Sequence, residues 1–140
     1  MGYDQDLTQW LSQTALWLWL HCLAWDKYIQ RKKSHKTDPK KALKSLPDDI
    51  VKVVLAHQPA SIFKVHEAKA DLQLSGHTHG GQFWPFTYPT RWANPYLEGL
   101  HNHKGTQIYV NRGTGYWGPP LRLGVESEIT LVTLETKKKQ

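Results

Sequence analysis

Apolar positions along this chain fall into patterns that each predict an element. Ile50-Val51-Lys52-Val53-Val54-Leu55-Ala56 is β-branched and almost continuously apolar, as expected of a strand covered on both faces. Asp71 to Leu74 predicts a second short strand. Between them, Pro59 opens a helix of about ten residues with Ile62, Phe63, Val65 and His66 on a mixed inner face. Upstream, Asp38 can cap a short helix with Pro39 at its first position and Ala42, Leu43 and Leu46 on one side. Downstream, Gln107-Ile108-Tyr109-Val110-Asn111 alternates as a strand, and so does Glu128-Ile129-Thr130-Leu131-Val132-Thr133-Leu134, read as the last strand. The connection from Phe83 to Tyr96 is too aromatic and proline-rich for a free linker and reads as an ordered loop beside the site. Leu100-His101-Asn102-His103-Lys104-Gly105 reads as a polar turn before a strand.

The first two strands and the helix between them form a β-α-β unit. Parallel neighbouring strands place their carboxyl ends on one edge of the sheet, where open α/β sheets usually hold their ligands. His57 follows the first strand, and Ser75-Gly76-His77-Thr78-His79-Gly80-Gly81-Gln82 follows the second, so topology brings three imidazoles to one edge. Neutral imidazole suits zinc, iron, manganese and similar divalent ions. Glycine allows a sharp turn and the close approach of a metal or phosphate. In an extended segment His77 and His79 point to the same side, whereas a glycine-flanked turn can aim them at two neighbouring metals. His66 reads as a structural residue of the helix, and His101 and His103 as residues of a solvated turn. Arg112 and Arg122 flank a Gly/Pro loop at 113–120, where either a bidentate grip on phosphate or a structural ion pair is open to them.

The charge changes the picture only once it is located. The 140 residues carry a formal net charge of +6, yet residues 45–136 hold seven basic and eight acidic groups. The excess lies in the flanks, eight basic residues between Lys27 and Lys44 and three in Lys137-Lys138-Lys139. A nucleic-acid footprint puts basic groups on the folded surface near the site, so no nucleic-acid partner is expected. A single cysteine, Cys22, excludes an internal disulfide and a cysteine-based zinc site. The Trp-rich run from Thr14 to Trp25 is too short to span a bilayer and lacks the features of a signal peptide. A cytoplasmic or membrane-peripheral protein is expected. Residues 1–37 thus read as an atypical Trp-rich then basic segment, 38–135 as the folded domain, and 136–140 as a basic tail.

The strand ending in His57, the Gly76-His77-Thr78-His79 turn, its Gly80-Gly81-Gln82 extension, and Arg112-Gly113-Thr114-Gly115 through Arg122 resemble the C-terminal half of a calcineurin-like metallophosphoesterase. The branch resembled has bacterial, often membrane-anchored members. The resemblance implies an α/β fold, part of an αββα sandwich, with one β-α-β unit followed by mainly β-hairpin structure. It also implies two divalent metal ions (Mn, Fe, Zn or similar), one held by His57 and His77 and the other by His79. The activity implied is hydrolysis of a phosphate ester by in-line attack on phosphorus while both cations stabilise charge on the phosphoryl oxygens. Arg112 is the candidate for holding the substrate phosphate.

The family's N-terminal half supplies Asp-x-His, Gly-Asp and Gly-Asn-His motifs, and none occurs here. Two dications held only by three neutral imidazoles keep all of their charge, which oxygen ligands normally offset. Asp71, at the start of its strand, is expected at the wrong end to substitute. The chain is therefore expected to be a C-terminal portion of the enzyme, binding metal weakly or partially and inactive alone. The alternative is a catalytically inactive fragment acting as an interaction or membrane-peripheral segment.

Overall fold

A computed structural model of the chain describes residues 38–135. The Trp-rich run at 14–25 and the basic tail lie outside the described residues. Helix α1 spans Pro39–Leu43, with the Asp38 carboxylate accepting from the Lys41 N–H at 3.0 Å. That cap and the proline at the first helical position explain why the helix starts there. Strand β1 is Val53–Leu55 and β2 is Leu72–Ser75. A 3-10 turn at Pro59–Ser61 leads into helix α2, Ile62–Glu67. Helix α3 covers Thr87–Ala93, and strands β3 (Gly99–His103) and β4 (Thr106–Val110) complete the set.

The four strands form one mixed sheet in the order β1-β2-β4-β3. β1 pairs with β2 and β2 with β4 in parallel, whereas β3 and β4 form an antiparallel hairpin. This is the expected α/β arrangement, a β-α-β unit followed by a hairpin, consistent with part of the metallophosphoesterase sandwich. Ile108 and Val110 lie on one face of β4 and are fully buried against Ile62 of α2, with Tyr96 packed on them. Gln73 and Ser75 share that face through the register Gln73↔Ile108 and Ser75↔Val110. On the opposite face, Tyr109 hydrogen-bonds Glu128 and Thr130.

Four expectations need correction. The run at 50–56 is not covered on both faces: only Val53–Leu55 is strand, it pairs with β2 alone among the described residues, and Leu55 is 81% exposed. Local apolarity records that a strand is meant to be covered, not by what. The alternating run at 128–134 forms no strand, and Ile129 and Leu131 are 90% and 93% exposed. An alternating segment becomes a strand only when a neighbour takes up its backbone groups. Among the described residues the backbone anchor is a single bond, Glu128 N–H to the Gly113 carbonyl at 3.0 Å. The supposed turn at 100–105 is mostly β3, with only Lys104 and Gly105 between the paired strands. The aromatic connection contains α3 rather than being loop throughout.

Candidate functional site

The site is built at the carboxyl ends of β1 and β2. The Ala56 N–H donates to the Leu74 carbonyl at 3.0 Å, and the Gly76 N–H donates to the His57 carbonyl at 3.1 Å. The parallel ladder thus continues past both strands and sets His57 beside the histidine turn. Ser75 Oγ donates to the Ala56 carbonyl at 2.7 Å and accepts from Gln73 Nε2 at 2.7 Å. A buried polar relay therefore fixes the backbone just before His57.

From His77 to Gln82 the chain makes a tight turn with four residues of left-handed φ after the first: His77 (70°), His79 (51°), Gly80 (62°), Gly81 (82°) and Gln82 (58°). Non-glycine residues enter that region rarely and at a cost, and such strain concentrates at functional sites. Here it is offset by dense bonding. Thr78 Oγ1 donates to the Leu97 carbonyl at 2.6 Å, and the Gly81 and Gln82 N–H groups donate to the Thr78 and His79 carbonyls. A Cβ at Gly81 would stand 2.5 Å from the Thr87 Cα, so only glycine fits.

A second loop is clamped onto this turn. The fully buried Gln82 amide accepts from the Trp117 N–H at 2.7 Å and donates to the Trp117 and Pro119 carbonyls at 2.9 and 3.1 Å. Arg122 donates to the carbonyls of Arg112, Gly113 and Gly115. Phe83, Phe86 and Trp117 pack against one another beside the clamp, whereas Trp84 and Trp92 are exposed. The aromatic loop is thus only partly a packed flank.

His57 and His77 meet: His57 Nε2 lies 3.3 Å from His77 Nδ1, with ring centroids 5.0 Å apart. The contact is at hydrogen-bond distance. Two nitrogens bound about 2.0–2.1 Å from one tetrahedral ion stand about 3.3–3.4 Å apart, a separation that the His57–His77 pair matches. His79 does not join them. Its Nδ1 faces Arg122 Nη2 at 3.3 Å. Burial, and then the Arg122 guanidinium, hold its imidazole below the ordinary value, against a hydrogen bond to the Gly115 backbone. Among the described residues, no group of three or more His, Cys, Asp or Glu side chains is placed to hold a metal ion. Among the described residues, the imidazoles brought together are thus His57 and His77, with His79 turned to Arg122.

Arg112 engages Glu128 through Nε at 2.9 Å and Glu98 at 3.7 Å. Burial raises the Glu128 carboxyl, but hydrogen bonds from Thr130, Tyr109 and Arg112 outweigh it and hold it at about 2. Arg112 and Arg122 together line a groove with residues 124–127. Asp71 accepts from the Lys52 N–H at 2.7 Å at the amino end of β2, away from the histidines as expected. His66 bonds Thr106 Oγ1, His103 bonds the Tyr96 hydroxyl, and His101 bonds the Glu98 carbonyl. His101 and His103 are hairpin-strand residues rather than turn residues. Gln82 and Arg122 emerge as the side chains that assemble the site. Their only signal in sequence is their place beside the Gly-Gly and Gly/Pro loops.

No family model matches the chain, and no solved structure matches it. Curated proteins do. A metallophosphoesterase of Helicobacter pylori is 43% identical over 118 residues, covering 83% of this chain and 32% of that protein. The metallophosphoesterase YkuE of Bacillus subtilis is 41% identical over 98 residues, covering 67% of this chain and 34% of the relative. A Bos taurus transmembrane protein with metallophosphoesterase domain is 39% identical over 104 residues, covering 72% and 23%. The chain thus spans about a third of the bacterial relatives' length and less of the bovine one. By this likeness the chain belongs to the metallophosphoesterase family and corresponds to its C-terminal half.

Proposed function

We propose that the whole protein is a metal-dependent phosphoric ester hydrolase and that residues 38–135 are the C-terminal half of its catalytic domain. The observation that carries this reading is the meeting of His57 Nε2 and His77 Nδ1 at 3.3 Å, at the carboxyl edge of a parallel strand pair. In this reading His57 and His77 hold one divalent ion and His79 serves a second. Bound ions supply the positive charge that stabilises phosphoryl oxygens and activates water for in-line attack. The glycine-rich turn keeps side-chain bulk away from the reacting group. Glu128 orients the Arg112 guanidinium, which reaches a phosphate oxygen from the groove it lines with Arg122.

The substrate is a phosphate ester, and the carboxylate ligands come from outside the described residues. A second reading, an inactive fragment that acts by interaction, draws support from the exposed apolar edge at Leu55. The two readings part in one experiment. The longer protein carrying this chain is assayed with Mn²⁺ on an aryl phosphate, alongside the chain itself. The proposal expects turnover by the longer protein, none by the chain, and losses of about 100-fold or more in His57→Ala and His77→Ala, since outer-shell changes alone cost 10–100-fold. Full activity in both variants would falsify it, and robust turnover by the chain alone would remove the second reading.

A further inference from the structure

Four donors converge on the Glu128 carboxylate. Its Oε2 accepts from the Arg112 backbone N–H at 3.1 Å and from Arg112 Nε at 2.9 Å. Its Oε1 accepts from the Tyr109 and Thr130 hydroxyls. The 128–134 segment that carries this carboxylate has one backbone bond among the described residues, Glu128 N–H to the Gly113 carbonyl. Tyr109 supplies the rigidity that the segment lacks, because it stands on β4, which is paired by β2 on one side and β3 on the other. A group carried by a paired strand is placed more precisely than one carried by a loop. Thr130 cannot substitute, since it belongs to the same segment as Glu128. With Oε2 on the Arg112 backbone and Oε1 on Tyr109, the carboxylate plane is fixed at two points. The phenol is also kept a donor, because its hydrogen bond to Glu128 holds it above its ordinary value.

This grip has a consequence for the guanidinium. Among the described residues Arg112 makes its side-chain hydrogen bond through Nε, and Glu98 Oε2 also approaches Nε, at 3.7 Å. A carboxylate placed across the two terminal amino groups would occupy the fork that grips an oxyanion. Held at Nε, the fork stays available to the groove that Arg112 lines with Arg122 and residues 124–127. We propose that Tyr109 is a positioning residue for Arg112: through Glu128 its hydroxyl fixes the guanidinium by Nε and leaves both terminal amino groups for a pair of phosphate oxygens. The proposal rests on the phosphate-binding reading of Arg112 given above.

Two measurements test this. In the full chain, ¹H–¹⁵N NMR at neutral pH reads solvent exchange of the Arg112 Nε–H. The proposal expects a protected Nε–H in the wild type and faster exchange in Tyr109→Phe. Exchange at the rate of a free arginine in the wild type overturns it, and that measurement needs no variant to fold. In the longer protein carrying this chain, kcat/KM for an aryl phosphate with Mn²⁺ is compared in the wild type, Tyr109→Phe, Arg112→Ala and the double variant. Tyr109→Phe is expected to lower it about tenfold, less than the about 100-fold that a misplacement of about 1 Å can cost. In the Arg112→Ala background the same change should move it by less than about twofold, since the two residues act as one unit. Equal losses in both backgrounds, or no loss in the wild-type background, overturn the positioning role. Full activity in Arg112→Ala removes the phosphate reading of Arg112, and this proposal falls with it. That outcome is distinct from an Arg112→Ala loss that ignores Tyr109.

Discussion

The histidine turn at residues 76–82 contrasts with the exposed apolar margins of the sheet, one at the β1 edge and one at residues 129–134. In the turn, backbone strain is matched by polar contacts made within the chain itself. The Gln82 side chain alone makes three hydrogen bonds while fully buried. At the margin the reverse holds: Leu55, Ile129 and Leu131 are 81%, 90% and 93% exposed. Polar groups are short-range and directional, so a site can be satisfied by two neighbouring loops. Apolar burial needs area, and one four-stranded sheet has too few layers to supply it on both faces. The conformation of the turn is thus fixed within the described residues in a way the core is not.

Substitution in the turn should have the largest effect. Gly81→Ala places a methyl 2.5 Å from the Thr87 Cα at a φ of 82°, and neither backbone can yield cheaply. A loss of about 3–4 kcal/mol is expected, the size reserved for combined strain and overpacking. Chemical denaturation of the chain measures it, and a loss below about 1 kcal/mol would show that the turn is not rigidly seated on α3. Gln82→Ala comes next. It leaves the Trp117 N–H and the Trp117 and Pro119 carbonyls without their side-chain partner. A loss of about 2–3 kcal/mol is expected, with proteolysis appearing first in the 113–122 loop.

The unequal legibility of the sequence has the same origin as this contrast. The β-α-β unit, the Asp38 cap and the meeting of His57 with His77 could all be read because each depends on local spacing plus one topological rule. The fate of 50–56 and 128–134 could not be read, because alternation and β-branching state a need for partners without naming them. β3 was hidden because Leu100-His101-Asn102-His103 is polar on an edge strand that buries little. The turning of His79 toward Arg122, 43 residues away, was hidden for another reason. A guanidinium's choice between carboxylate, carbonyl and imidazole is set by tertiary geometry, not by composition.

Acid should loosen the site side of the comparison before the apolar margin. Glu128 is held at about 2 in the folded chain, below its ordinary value of 4.5. A depressed carboxyl contributes its stability in full above the unfolded value and loses it as pH falls through the folded one. Stability should therefore decline between about pH 4.5 and pH 2, and Glu128→Gln should flatten that part of the profile. An unchanged slope in the variant would place the acid-sensitive group elsewhere.

The smallest effect is expected at the margin, and it is the sharper test because intuition about apolar residues points the other way. Leu55→Thr removes an apolar side chain from a strand, a change that costs about 2–5 kcal/mol when a leucine is truncated in a packed core. At 81% exposure Leu55 has little packing to lose, and threonine introduces the β-branching a strand favours. The stability of the isolated chain should move by less than about 0.5 kcal/mol, while its tendency to associate through the open β1 edge should fall. In the longer protein the same substitution should become costly if a further layer covers β1. Equal tolerance in both settings would mean that the apolar margin stays bare, and the contrast with the histidine turn would then be a property of the whole protein rather than of this part of it.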